Sequence, residues 1–277
     1  MRVVRDGTEL KSVLEPERRA DRTIGFVPTM GYLHPGHLSL SRIARDSGDV
    51  VVMSIFVNPL QFGEGEDFEA YPRDEERDFA VAEEEKIDVV FAPFREEIYP
   101  AGSTAIVSAG RLATIVEGEH RPGHFDGVTT VVAKLFHLVE PQRAYFGQKD
   151  AQQVAVIKKM VGDLFFPLEV VVGETIREPD GLALSSRNAY LSKEERERAP
   201  ALYRALREGA EVLRSGEGVP RAEKRMEQLA SEAGFALDYA RVVHPDTFEP
   251  LSEHQRSLLV IAGRLGRTRL IDNLLVS

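Results

Sequence analysis

The strongest constraint on this chain is a repeated order of short apolar runs and helical spacings through its first two-thirds. Thr23-Ile24-Gly25-Phe26-Val27 reads as a buried strand that Pro28 stops, and Leu40, Ile43 and Ala44 then keep helical spacing as far as Gly48, a residue suited to close a helix. Val50 through Val57 is a nearly continuous apolar run of strand length, the pattern of a parallel strand covered on both faces. A charged helical stretch from Arg73 to about Lys86 leads to a strand at Ile87–Phe91. Val128, Val131, Val132, Leu135 and Leu138 mark a helical face before the strand Ala144-Tyr145-Phe146. Val154, Ile157, Met160 and Val161 mark another helix, before a strand at Leu168–Val172. Repetition of strand, helix and strand predicts an α/β fold, a Rossmann-type doubly wound parallel sheet whose ligands bind beyond the carboxyl ends of the strands. After Ile176 the pattern changes to helices at 193–214 and 220–233 and strands at 236–243, 257–262 and 268–272. The expected organisation is therefore a Rossmann-like domain at 1–176 and a smaller C-terminal α+β domain at 177–277.

Composition narrows the chemistry. With no cysteine there are no disulfides, thiolate metal sites or thiol nucleophiles, so reactive groups must come from His, carboxylates, Lys, Arg, hydroxyls and backbone. The net charge of −10 lies entirely in residues 1–176, and the balanced remainder has no basic run, which argues against nucleic acid as a partner. No apolar run approaches the ~20 residues a bilayer helix needs, and Met1-Arg2-Val3-Val4-Arg5-Asp6 lacks the apolar core of a secretory signal. A cytoplasmic protein with no membrane partner is expected.

Three polar segments each follow a predicted strand. His34-Pro35-Gly36-His37 opens a helix and sets two imidazoles about one turn apart, beside backbone N–H groups that attract phosphate. Gly36 permits close approach of a ligand, and the imidazoles can donate to oxygens on which charge builds in a transition state. Two histidines alone are too few for a metal centre, and such a pair can also be plain surface histidines at a helix start. Gly147-Gln148-Lys149-Asp150 offers a point charge for phosphate at Lys149, or else is a solvated loop. Leu184-Ser185-Ser186-Arg187-Asn188, after the Asp180-Gly181 turn, joins two hydroxyls to a guanidinium able to grip phosphate bidentately.

Together these residues carry a resemblance. The His34-x-Gly36-His37 pair with the Ser185-Ser186-Arg187 loop resembles the HxGH and KMSKS-like signatures of the nucleotidyltransferase superfamily. More narrowly, Pro28–His37, Phe56–Phe62, Tyr71-Pro72-Arg73, Phe146–Asp150 and Asp180–Asn188 are similar, in order, to the pantothenate synthetase (pantoate–β-alanine ligase) family. Leu184 stands where a Met is frequent, and Arg187 carries the charge where KMSKS-type loops end in lysine. Leu is close to Met in volume, and Arg keeps bidentate phosphate binding.

That resemblance implies an ATP-dependent condensation of pantoate with β-alanine to pantothenate through a pantoyl adenylate, releasing pyrophosphate and AMP, with Mg²⁺ and a homodimeric assembly. It implies catalytic roles for His34, His37, Lys149 and Arg187. The nucleotide falls to Met30, His37, Gly147, Lys149, Asp150, Ile176, Leu184, Ser185, Ser186 and Arg187. Pantoate falls to Gln61 and Gln153, then to Asn58, Arg121 and His124; Phe56 and Phe62 are apolar walls for its methyls or plain core aromatics. Asp78, with Arg77 beside it and among eleven acidic residues between Glu64 and Glu85, is either the family's Mg²⁺-associated carboxylate or an ordinary acid on a solvated helix. The C-terminal domain would act as a lid over the nucleotide. Three rivals compete with this reading: a transferase that hands AMP or CMP to a phosphorylated acceptor, a synthetase-like RNA binder, and a silent nucleotide-binding regulator. Neutral Gln61 and Gln153 disfavour the first, and the balanced C-terminal charge the second. The third must explain why every phosphate-facing group is kept.

Overall fold

The computed structural model describes residues 1–251 and 256–276, so residue 277, the expected end of the second domain, lies outside them. The chain divides into two compact units. The first comprises Met1–Thr114, Arg121–Gly147 and Val156–Gly173; the second takes Ile115–His120, Gln148–Ala155 and the chain from Glu174 onward. Glu174, Thr175 and Ile176 thus sit with the C-terminal part, as do two short segments from within residues 1–176.

In chain order the first unit begins with β1 (Arg2–Val4), α1 (Gly7–Arg19), β2 (Ile24–Thr29), α2 (Pro35–Asp46), β3 (Val50–Ile55), α3 (Glu75–Glu84), β4 (Val89–Phe91) and the single turn α4 (Arg95–Ile98). A second single turn, α5 (Glu117–His120), belongs to the second unit. There follow α6 (His124–Val139), β5 (Arg143–Gly147), α7 (Ala151–Asp163), which begins in the second unit and ends in the first, and β6 (Glu169–Gly173). All six strands run parallel in the order β1-β4-β3-β2-β5-β6, which bears out the doubly wound sheet. The order reverses between β2 and β5, the point at which such sheets bind ligands.

Pro28 does not stop β2 but lies within it, opposite Ser54 of β3. Thr29 O accepts from Phe56 on the β3 side while Ile24 O accepts from Gln142 on the other, so the nitrogens of even-numbered residues face β5. The β5 ladder covers only Gly25 and Phe26. Pro28 therefore removes no ladder bond, the condition under which a strand tolerates proline. Strand β1, absent from the periodicity, has three residues and pairs only with β4 at the edge. Val27, Leu33, Leu40, Val51, Met53, Val90 and Tyr145 fill a core between α2 and the sheet. A Cβ on Gly173 would lie 2.4 Å from Leu40 Cδ2, so α2 packs closely over the end of β6.

The second unit, from Glu174 onward, contains α8 (Lys193–Arg198), α9 (Ala201–Arg214), α10 (Val219–Glu232) and an antiparallel sheet of β7 (Ala236–Val243), β8 (Ser257–Leu265) and β9 (Thr268–Val276) in that order. The single helix expected at 193–214 is two, divided at Ala199-Pro200 because proline supplies no N–H to continue the ladder. Strands β8 and β9 run past the expected 262 and 272, joined through Gly266 in the left-handed region at φ +58°. Leu206, Leu213, Met226, Leu259 and Ile261 form the core of this unit.

Candidate active site

The turn from β2 into α2 is built from local bonds. His34 is the N-cap of α2: its Nδ1 accepts from Gly36 N at 3.1 Å, while His34 N donates to His37 Nδ1 at 3.3 Å. Both Nδ1 atoms therefore act as acceptors, which puts the proton of each neutral ring on Nε2. The rings stack with centroids 3.9 Å apart and planes inclined by 26°. One expectation changes. The N–H groups of His34, Gly36 and His37 are all taken, the last by His34 O, and Pro35 has none, so the backbone N–H groups at this helix start are spent within the turn.

Asp78, on the first turn of α3, closes the loop ahead of these histidines. Gly31 (φ +81°) and Tyr32 (φ +50°) are both left-handed, and the N–H groups of Tyr32 and Leu33 reach Asp78 Oδ2 and Oδ1 at 2.6 and 2.7 Å. A Cβ at residue 31 would lie 2.8 Å from Asp78 Oδ2, so the loop needs glycine for both its φ and its space. Burial raises the Asp78 pKa above its ordinary value, against the two backbone N–H groups and nearby Arg77, which lower it.

Beside this loop a 3-10 turn at Pro59–Gln61 carries a shelf of amides. Asn58 Nδ2 donates to Gln61 Oε1 and to Gly127 O, each at 3.0 Å, and Asn58 Oδ1 accepts from Tyr99 OH at 2.7 Å and Leu60 N at 3.3 Å. Gln61 Nε2 lies 3.1 Å from Met30 Sδ. From α6, His124 Nδ1 donates to Gln61 O at 2.7 Å, so its Nε2 is the acceptor for Arg121 Nη1 at 3.1 Å. Arg121 also grips Glu66 through two bonds of 2.7 and 2.6 Å. Burial of Glu66 opposes its charge, but the Arg121 hydrogen bonds and charge outweigh that, holding its pKa below the ordinary value.

In the second unit Lys149 Nζ lies 3.5 Å from Asp150 Oδ1, on a turn whose Gln148 and Lys149 carbonyls both accept from Asn273 Nδ2 at 2.9 Å. Gln153 is half-buried one turn into α7. Residues 176–184 fold back on themselves, with Leu184 N donating to Ile176 O and Arg177 bridging Ala183. Arg177 anchors that hairpin through two bonds to Asp272 at 2.6 and 2.8 Å and lies 3.8 Å over the Tyr203 ring. Beyond the hairpin, Ser185 caps a 3-10 turn at Ser186–Tyr190, its Oγ accepting from Arg187 N.

The pantoate-beta-alanine ligase family model matches residues 2–275. The chain belongs to that family. A pantothenate synthetase of Acetivibrio thermocellus is 50% identical over 279 residues, covering 100% of this chain and 99% of that protein. The Thermus thermophilus pantothenate synthetase is 53% identical with 99% of each covered. A crystal structure of the latter superimposes with TM-score 0.94 at 52% identity, covering 99% of both chains. A Francisella tularensis pantoate-beta-alanine ligase, solved in complex with beta-gamma ATP and β-alanine, gives TM-score 0.83 at 35% identity over 99% of this chain and 97% of that one.

Within this ligase chain the first unit brings together Met30, His34, His37, Asn58, Gln61, His124 and Asp78, and Gly147 ends its β5. The second unit carries Lys149, Asp150, Gln153, Ile176, Leu184, Ser185, Ser186 and Arg187. Asn58 and His124 spend their polar atoms on the Gln61 shelf. Phe62 stacks edge-on with Phe68 and Tyr71, at centroid distances of 5.3 and 5.8 Å, as a packing aromatic does. The donor set does not fit a protein-held Mg²⁺ at Asp78. Its side chain is 2% exposed, both oxygens already accept loop N–H groups, and the Arg77 guanidinium lies 3.5 Å away. Among the described residues no three His or acidic side chains cluster to hold a metal, and no helix is long and apolar enough to cross a membrane. Tyr99, Glu66 and Asn273 complete these sites without having been singled out in the sequence.

Proposed function

We propose that this chain performs the family's ATP-dependent condensation of pantoate with β-alanine through His34, His37 and Gln61 in the first unit and Lys149 and Ser185–Arg187 in the second. In the first step the pantoate carboxylate attacks the α-phosphorus of ATP; a new P–O bond forms as the bond to the β-phosphate breaks, releasing pyrophosphate. In the second step the β-alanine amine attacks the acyl carbon, AMP leaves, and the amine gives up a proton.

The observation that carries this reading is the His34–His37 pair with both Nδ1 atoms engaged by backbone N–H groups. Two parallel rings whose protons sit on Nε2 are suited to donate to phosphate oxygens as negative charge moves toward pyrophosphate, at no cost in reorganisation. Lys149 and Arg187 supply positive charge for the departing phosphates, Arg187 by its fork and Lys149 as a point charge. Met30, Gly147, Asp150, Ile176 and Leu184 complete the nucleotide contacts by the family resemblance. Gln61 and Gln153 hold the pantoate oxygens, whereas Asn58 and His124 act on pantoate by fixing Gln61. Mg²⁺ would enter with ATP and neutralise charge on its phosphates, and Asp78, whose oxygens are spent on loop N–H groups, would not hold it. The homodimer is part of the same reading, tested by light scattering against a chain mass of 30.9 kDa.

The deciding experiment incubates the protein with ATP, Mg²⁺ and pantoate, with and without β-alanine, and follows AMP, pyrophosphate and pantothenate by mass spectrometry. AMP formed in step with pantothenate, and only with β-alanine present, is the expected result. Folded, ATP-binding protein that makes no pantothenate would overturn the reading.

A further inference from the structure

The amide shelf has a direction. Gly127 O can only accept and Leu60 N can only donate, so these two backbone groups fix which end of the Asn58 amide is which. The second Nδ2 hydrogen then goes to Gln61 Oε1, and that in turn leaves the Gln61 Nε2 edge facing Met30 Sδ, a weak acceptor that a substrate oxygen readily replaces. The strong donor at the head of this series is Tyr99, whose hydroxyl is 2.7 Å from Asn58 Oδ1 against 3.3 Å for Leu60 N.

We infer that Tyr99 is a positioning residue for the substrate acid, acting through Asn58 to hold Gln61 as a hydrogen-bond donor aimed at a substrate oxygen. This rests on the proposed role of Gln61 at pantoate. Tyr99 follows α4, forty-one positions along the chain from Asn58, and its ring is fixed by Phe56, with centroids 6.2 Å apart, and by Lys134 Nζ at 5.2 Å. Burial pushes its pKa well above the ordinary tyrosine value, so the hydroxyl remains a proton donor throughout any practical assay. Asn58 is 1% exposed, so bulk water does not replace a lost Tyr99 donor. A donor-only Gln61 selects an acceptor oxygen, carboxylate or hydroxyl, and disfavours an acid analogue that presents an amine in its place.

The test is Tyr99→Phe, which keeps the ring and its packing and removes only the hydroxyl. Removing the donor to a buried acceptor corresponds to roughly a 5- to 10-fold rise in pantoate KM, with kcat and ATP KM within about twofold of wild type. Titration of pantoate into Tyr99→Phe, Asn58→Ala and the double variant is expected to show non-additivity, the Tyr99 change having no further effect once Asn58 is gone. Circular dichroism melting of each variant reports folding separately. An unchanged pantoate KM, equal rises for pantoate and ATP, or a full Tyr99 effect in the Asn58→Ala background would each overturn the assignment. Absence of pantothenate formation by wild type would instead remove the functional reading on which it rests.

Discussion

The histidine turn and the amide shelf sit in the same unit and are held in opposite ways. The turn is closed by bonds among residues 34 to 37, with Asp78 and Arg77 of α3 holding the loop ahead of it. The shelf has its own short turn, in which Asn58 bonds Leu60 and Gln61, but its placement depends on distant groups: Gln61 is fixed through Asn58 by Gly127 and Tyr99, and directly by His124 and Arg121, from 41 to 69 positions away. A local turn can form as soon as its helix does, and its chemistry survives small shifts elsewhere. A shelf that depends on two distant segments, at Tyr99 and at residues 121–127, is only as well placed as the packing between them, so damage to it should appear in substrate affinity before it appears in turnover.

The largest effect is expected at the turn. His37→Ala removes a donor to developing charge and the acceptor for His34 N, and a loss of about 10²- to 10³-fold in kcat is expected with the fold retained. Stopped-flow release of pyrophosphate reads this step directly. An intact rate in a folded variant would take His37 out of the chemistry and collapse the contrast drawn here.

Asp78→Asn sharpens the contrast by attacking the turn from a distant support. An amide presents an N–H to one of the two loop N–H groups, leaving a buried donor without an acceptor at a cost of about 1–3 kcal/mol, or roughly 5- to 150-fold in kcat. The Mg²⁺ concentration for half-maximal rate should not move, because the carboxylate is spent on Tyr32 and Leu33. A shift of that midpoint by tenfold or more would restore Asp78 as a metal ligand.

Gly127→Ala tests the shelf. A Cβ there would lie 2.3 Å from Leu60 O and 2.7 Å from Gln61 N, both backbone, so the 3-10 turn must move. Overpacking of this kind costs about 1–3 kcal/mol. The expected signature is a rise in pantoate KM together with a lower melting temperature, with ATP KM unchanged. Equal loss for both substrates would mean that the shelf and turn are not separable.

This difference in construction also sets what could be read from the chain beforehand. His34-Pro35-Gly36-His37 announces itself because capping, proline placement and imidazole spacing all fall within four residues after an apolar run. The parallel sheet was legible for a similar reason, since Val50–Ile55 and its neighbours repeat a pattern at short range. Pro28 misled because whether a strand tolerates proline depends on what pairs beyond Phe26, which only the sheet order reveals. At Asp78 residue type marks a carboxylate worth placing, but not that two backbone N–H groups would claim it. Tyr99, Glu66 and Asn273 gave no signal at all, since nothing in their neighbourhoods differs from ordinary loop or strand sequence until the chain brings them to Asn58, Arg121 and Lys149.

The smallest expected effect concerns the outer tie of the shelf, the Glu66–Arg121 pair. The folded-state pKa of Glu66 is lowered by Arg121 in spite of burial, so the stabilisation it contributes is present above the unfolded value of about 4.3 and is lost as pH falls through the lower folded value. Across neutral pH the tie is therefore intact, and its contribution to pantoate affinity should be flat down to about pH 5 and decline only in stronger acid. Because both side chains remain partly open to solvent, at 11% and 23% exposure, the pair contributes about 1 kcal/mol or less. Glu66→Gln is expected to weaken pantoate binding by about twofold to fivefold at pH 7, and that difference from wild type is lost only in acid below the ordinary carboxylate range, where the wild-type Glu66 carboxylate is itself protonated. Calorimetric titration of both proteins from pH 8 into that acid range checks this, and comparing the two cancels the protonation of pantoate. A gap between them that opens or closes between pH 6 and 8 would show that another group governs the shelf, and that its ties to α6 do not run through Glu66.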